Sequence, residues 1–298
     1  MTDAAIPRTR PFWRHSMVRR RAGVTKSIWR QPLTIAGLVV LAAWLIVAVA
    51  APLIAPYNPL VQNFKPLLPP SAQHIFGTDD LGRDVLSRVI YGARVSLPLS
   101  LLLVSLSVVI GSTLGAVAGY FRGWIDGILM RLCDLLFAFP AIVLAMVVTA
   151  TIGPSITHAI IALVFISWPW YARIVRGLVM SIADTEYVTA NRLLGASVRQ
   201  ALTVDVLPNV VGPILVLATL DLGGAVLLLS ALSFLGLGAQ PPMAEWGAMV
   251  SEGIQYFTDW WIGMFPGLAI FSVVLAFNLV GDSLRDYFDP QTVGNGKL

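Results

Sequence analysis

The sequence predicts an all-α membrane protein with six transmembrane helices, and three observations carry that expectation. Hydrophobic residues make up 57% of the 298 residues and charged residues 12%, against about 25% charged in an ordinary soluble domain. Apolar runs of about 20 residues, long enough as helices to cross a hydrocarbon core of roughly 30 Å, recur along the chain. Those runs are continuous and lack the apolar and polar alternation of barrel strands, so the helix is the solution that satisfies every backbone group in lipid.

The elements follow in order. A basic tail, 1–32, precedes a first span at 33–55; the tail and the apolar run are both too long for a cleaved signal peptide, which makes this span an anchor. An outer loop, 56–94, leads to a core at 95–285. Its spans are expected at 95–120, 130–151, 156–175, 209–235 and 262–281, with a cytoplasmic loop at 181–207 and a tail at 286–298. Pro169 and the belt-like Trp168, Trp170 and Tyr171 shorten the fourth span.

Charge orients the chain. Arg8, Arg10, Arg14, Arg19, Arg20, Arg21, Lys26 and Arg30 precede the first span against one acid, Asp3. With the N-terminus inside, 16 of the 20 basic residues are cytoplasmic and Lys65, Arg83, Arg88 and Arg94 lie outside. The positive-inside rule then puts both termini in the cytoplasm of a multi-pass protein of the cytoplasmic membrane. The tail could also bind anionic lipid or nucleic acid, but a topology determinant is the simpler reading, and no nucleic-acid partner is expected. Cys133 stands alone in an apolar run, and His15, His74 and His158 lack neighbours at ligand spacing, so no metal site is expected.

Several segments carry more than hydrophobicity. Gly111, Gly115 and Gly119 share one face of the second span and let a neighbouring helix approach closely. In the loop 181–207, Asp184 is a plausible N-cap with Glu186 in the first turn, and Tyr187, Asn191 and Leu194 share a face. Gly195 can end this helix in a left-handed conformation, Ser197 can cap a second one, and Pro208 breaks the chain before span five. Such a helix suits either mechanical docking of a cytoplasmic partner or a solvated connector. Asp221 is the one acid well inside a span; it either lines a pathway or bonds another helix. In the outer loop, Asp79, Asp80, Arg83 and Asp84 can pair with one another, line the pathway's mouth or meet a partner. The default for Arg83 is folding the loop.

Thr189-Ala190-Asn191, three residues, Gly195, nine residues and Asp205-Val206-Leu207-Pro208 resemble the signature of binding-protein-dependent ABC importer permeases. That signature reads Glu-Ala-Ala, Gly, and Ile-x-Leu-Pro at the same spacing. Thr189, Asn191 and Asp205 depart from it. The segments HIFGTDDLGRDVLSRVIYGARVSL from His74 and LSFLGLGAQPPMAEWGAMVSEG from Leu232 are similar to the C-type permease of the dipeptide, oligopeptide, nickel and glutathione systems. Phe265-Pro266-Gly267-Leu268-Ala269-Ile270 and Phe277-Asn278-Leu279 add to this likeness, which covers nearly the whole chain from about residue 28.

The resemblance implies a type I importer permease fold and a chain that forms half of a translocation pathway, most readily for di- or oligopeptides. It implies as partners a second permease, two ATPase subunits or domains and an extracytoplasmic binding protein. It also implies that Glu186, Thr189, Ala190, Asn191, Arg192, Leu194, Gly195, Ala196 and Pro208 couple this chain to an ATPase. No Gly-x-x-x-x-Gly-Lys-Ser/Thr loop occurs in the sequence, so ATP and magnesium are expected on the partners and no cofactor or catalysis in this chain. An ion-coupled secondary transporter is the main alternative; one intramembrane acid and no evident half-to-half repeat speak against it. A membrane-embedded hydrolase lacks its Gly-x-Ser-x-Gly or His-Glu-x-x-His pattern. Cargo is not legible in the sequence.

Overall fold

The computed structural model describes residues 31–195, 197 and 200–288. The basic tail before residue 31, Ala196, the chain's last ten residues and the side chains of Thr189, Ala190, Arg192 and Asp205 lie outside what is described. Helix α1, Pro32–Ile54, opens on a proline whose missing N–H is no loss in a first turn. It is zipped to the last helix, α9, Trp261–Phe288, by polar contacts along its length. The hydroxyls of Thr34 and Ser283 meet at 2.6 Å, and the Trp44 indole donates to Ser272 Oγ at 2.9 Å. In lipid no hydrophobic force draws helices together, so contacts of this kind hold a peripheral helix in place.

Helix α2, Val85–Phe121, is 37 residues long, about 55 Å at 1.5 Å per residue, and projects well beyond a bilayer core. It starts at Val85 rather than at 95, because Asp84 caps it by accepting from Ser87 N–H at 2.8 Å. Its small-residue face lies against α5, Ile156–Ala183. A methyl group placed on Gly111, Gly115 or Gly119 would stand 2.4, 2.3 or 2.8 Å from the carbonyl oxygens of Trp168, Ala172 and Arg176. The two backbones therefore touch over three successive turns, at a distance only glycine permits.

The third span is not one helix. Helices α3, Gly123–Phe137, and α4, Ala141–Ile152, meet at an angle of 89° across Ala138-Phe139-Pro140. Pro140 supplies no N–H and disfavours helical backbone at Phe139, which breaks the ladder there. The fourth span, in contrast, runs to Ala183 instead of 175, with Pro169 accommodated inside it. Trp168 and Tyr171 are not an interfacial belt: both are buried between helices, and only Trp170 of the three is exposed.

Beyond a short helix α6, Glu186–Leu193, and a π-helical turn, Ala201–Val206, helix α7, Leu207–Phe234, packs on α5 and α9. Helix α8, Trp246–Gln255, lies between α7 and α9 in the chain and drives the fully buried Trp246 against α2, where its indole donates to Val89 O at 3.0 Å. Glu245, also fully buried, caps α8 through Ala248 N–H and accepts from Ser96 Oγ of α2 at 3.1 Å. Among the described residues five helices are long and apolar enough to cross a membrane, six spans if the bent pair counts as one.

The contact between α2 and α5 leads to a first prediction. Gly115→Val overpacks a site where the backbone cannot move aside, and overpacking costs about 1–3 kcal/mol. The thermal midpoint of the detergent-solubilised protein falls. Gly177→Ala, at a position with nothing within 4 Å of the added carbon, leaves it unchanged or slightly raised. Equal midpoints for Gly115→Val and wild type contradict the packing described.

Candidate coupling and translocation sites

Functional groups gather at three levels. The first is the loop at the C-terminal end of α5, which the sequence reading places on the cytoplasmic side. Asp184 ends α5 and accepts from Arg122 Nη2 at 2.6 Å through Oδ1. Helix α6 starts two residues later, and Thr185 uses its hydroxyl on Ile182 O at 2.6 Å. Val188 is fully buried and roots α6, while Leu193 and Leu194 are 84% and 86% exposed. Leu194 lies in the turn after the helix, not on its face. Gly195 has φ +89° with open space around its Cα, the left-handed conformation that suits a residue without Cβ. Ser197 Oγ accepts from Gln200 N–H at 3.2 Å, ahead of the π-helical turn. Val206 then re-enters the core with Val175, Val179, Val210 and Ile214, and Pro208 stands in the first turn of α7.

This level is fastened to the membrane helices by charge. Arg176 grips Asp126 of α3 through both Nε and Nη2, Arg173 pairs with Asp134, and the Arg173 guanidinium lies 4.6 Å from the centre of the Phe137 ring. Exposed pairs are individually weak. Three ion pairs along one end of α5 nevertheless tie it to α3 and to the end of α2.

The second level is the middle of α7. Asp221 accepts from the Tyr171 hydroxyl of α5 at 2.6 Å. Tyr171 is 1% exposed and Asp221 only half-buried. One carboxylate oxygen is thus held by the neighbouring helix, and Oδ1, beside Gly224, has no hydrogen-bond partner among the described residues. Both readings of Asp221 therefore have a structural basis: a bond between helices and an oxygen left over for a ligand.

The third level is the outer loop. Asp79 accepts from the N–H groups of Leu81 and Arg83 through Oδ1 and from Arg83 Nε at 2.6 Å through Oδ2. Arg83 reaches Glu252 of α8 at 3.3 Å, Arg88 reaches the same carboxylate at 3.2 Å, and Tyr256 donates to Asp80. Asp84 accepts from Ser87 on one oxygen and lies 2.9 Å from His74 Nδ1 on the other. Carboxylate oxygens of Asp79, Asp80 and Glu252 lie within 4.8 Å of one another. The Arg83 and Arg88 guanidiniums stand among them and supply the positive charge that a metal ion would otherwise bring. Burial holds the Glu252 carboxyl above its ordinary range even with Arg88 and Arg83 beside it. Reading the sequence alone places Arg88 and Glu252 on one side without joining them, because 164 residues separate them. It likewise passes over Leu193, whose role depends on exposure, and takes Tyr171 for an interfacial aromatic where the structure shows a contact between helices.

The family model for the binding-protein-dependent transport system inner membrane component matches residues 111–294. The chain belongs to this family. A second model, for the N-terminal transmembrane domain of oligopeptide transport permease C, matches residues 23–70 of the permease. The dipeptide transport system permease protein DppC of Alkalihalophilus pseudofirmus is 41% identical over 89% of this chain and 88% of its own. The probable D,D-dipeptide transport system permease protein DdpC of Escherichia coli is 43% identical over 76% and 77%. The glutathione transport system permease protein GsiD of Pectobacterium atrosepticum is 44% identical over 74% of each. The permease is a multi-pass membrane protein of an ABC transport family.

Asp79 and Arg83 are both nearly inaccessible, and removing one partner of a buried pair costs about 3–5 kcal/mol because the other charge is left behind. Arg83→Met therefore lowers the thermal midpoint sharply. Among the described residues Arg88, 3.4 Å from Asp79 and 3.2 Å from Glu252, is then the one cation left with three carboxylates; Asp79→Asn in the same chain removes one of those negative charges, keeps an acceptor for the N–H groups of residues 81 and 83, and recovers part of the loss. A neutral Arg83→Met would contradict this assignment.

Proposed function

We propose that this permease is one half of the translocation pathway of an ATP-driven, binding-protein-dependent peptide importer. The second half is a homologous permease, and two ATPase subunits or domains bind ATP and magnesium on the inner side. An extracytoplasmic binding protein delivers the cargo. The relatives named for dipeptides, D,D-dipeptides and glutathione favour small peptides as that cargo. The distribution of basic residues favours both termini on the cytoplasmic side.

One observation carries the coupling role: the tip formed by Leu193, Leu194 and Gly195 presents two exposed leucines and an open glycine, yet both ends of its loop are rooted in the core by Val188 and Val206. An apolar pair held out rigidly in this way fits an apolar recess on a partner. The loop from Glu186 through Thr189, Ala190, Asn191 and Arg192 to Ala196 then receives the movement of the ATPase pair, and Pro208 fixes its return into α7. ATP binding shifts the population between two arrangements of the helices, and no covalent chemistry by this chain is needed. Asp221, with its unpartnered oxygen, lines the pathway and meets the ammonium group of a peptide. The Tyr171 hydroxyl holds the carboxylate in place.

Gly195→Asp tests the coupling assignment. The change brings a left-handed backbone penalty of order 1 kcal/mol and a charge at the docking tip. The variant is expected in the membrane with its permease partner, with ATPase copurification and peptide uptake lost. Asp221→Asn in the otherwise native complex keeps both and lowers uptake of peptides with a free amino terminus more than uptake of amino-blocked ones. Wild-type uptake with ATPase still bound in Gly195→Asp would end the coupling assignment. Equal effects on free and blocked peptides would remove Asp221 from the pathway.

A further inference from the structure

A groove between α1 and α2 takes part in none of the chemistry above. It holds about 630 Å³, within the roughly 300–1,000 Å³ of ligand-holding clefts. Its walls are apolar side chains, among them Leu41 and Leu45 of α1, Leu97 and Leu101 of α2, and Phe277 of α9. Trp44 forms a fixed part of the wall: its indole is bonded to Ser272 and meets the Trp246 ring edge-on with centroids 4.9 Å apart. The groove is thus formed in advance and cannot close by a simple rotamer change.

Because α1 and α2 are consecutive spans, Val49 and Arg94 stand at one end of the groove, and Leu41 and Leu101 lie about 10 Å deeper at 1.5 Å per residue. The long axis therefore follows the membrane normal. The mouth is polar. Arg94 is exposed and has no carboxylate within ion-pair distance among the described residues; its guanidinium lies 5.9 Å from the centre of the Tyr91 ring. Pro98, four residues later, has no N–H to give the Arg94 carbonyl, so that oxygen is also open to a donor. A cation at a membrane boundary requires a counter-charge or water, and here it stands over an apolar slot.

We propose that the groove seats an acyl chain of an anionic phospholipid, with the lipid phosphate on the Arg94 guanidinium. In the orientation proposed above this lipid belongs to the outer leaflet. The lipid fills the space between the peripheral α1 and the core helices and so ties the anchor to α2 at the level where α1 has no polar contact of its own to that helix.

The test uses the assembled transporter in nanodiscs of phosphatidylethanolamine and phosphatidylglycerol, with phosphatidylglycerol carrying a photoreactive acyl chain as probe. Labelling is expected on peptides containing residues 41–49 and 97–101, competed by unlabelled phosphatidylglycerol and not by phosphatidylcholine. Arg94→Gln lowers it about fivefold, the share of one basic residue at an anionic lipid. Leu101→Trp, which fills the groove from an exposed position, abolishes it with the thermal midpoint unchanged. Labelling that neither variant alters, or equal competition by phosphatidylcholine, overturns the proposal. So does a photocrosslinker at Leu45 that captures the second permease, since the groove is then a protein interface.

Discussion

Close backbone contact between α2 and α5, set by Gly111, Gly115 and Gly119 against Trp168, Ala172 and Arg176, fixes where the charged and polar groups of α5 and their partners on α3 and α7 sit. Side chains cannot drive helices together in lipid by avoiding water, so the energy comes from dispersion over surfaces that approach closely. Glycine at three successive turns provides that surface. The same register points Tyr171 toward α7, where it holds Asp221, and carries Arg173 and Arg176 to the acids of α3. It also delivers the end of α5 to the base of the coupling loop. A shift of α5 by one turn would break all of these at once.

The outer end is secured by different physics. There, nearly inaccessible charges are compensated within a few ångströms, and the cluster spans elements far apart in the chain: the loop after α1, the first turn of α2 and α8. Such a cluster contributes little net stability compared with an apolar packing of the same volume, but losing one member is costly. It therefore specifies one arrangement of the outer loop. The glycine contact and the ionic cluster thus fix different parts of the permease, the first the pairing of α2 with α5 and the second the loop after α1 against α8.

How much of this the sequence displays depends on the range of each interaction. The glycine face is legible because its spacing repeats within one helix; the helix it meets is not, since nothing local distinguishes Ala172 from any other alanine. Gly195 is legible because a left-handed helix end has a residue preference of its own. Asp184 shows the limit of local reasoning: it reads as an N-cap, and nothing nearby in the chain announces that Arg122, 62 residues away, holds one of its carboxylate oxygens. The break at Ala138-Phe139-Pro140 leaves a clear mark in Pro140, yet an apolar run on both sides conceals an 89° turn. Trp168 and Tyr171 look like interfacial aromatics by composition and are core residues by position.

The function proposed above is mechanical: in it the permease moves as one body when partner ATPases bind ATP, with the loop tip at Leu193-Leu194 as the handle. Pulsed electron–electron resonance between spin labels at two exposed positions, Leu194 on the inner side and Leu81 on the outer, measures this in the reconstituted transporter. The account predicts that the distance within the chain stays constant between the nucleotide-free and ATP-bound states, while the distance from Leu81 to a matching site on the second permease changes. A distance between Leu194 and Leu81 that changes as much as the one between subunits would contradict it.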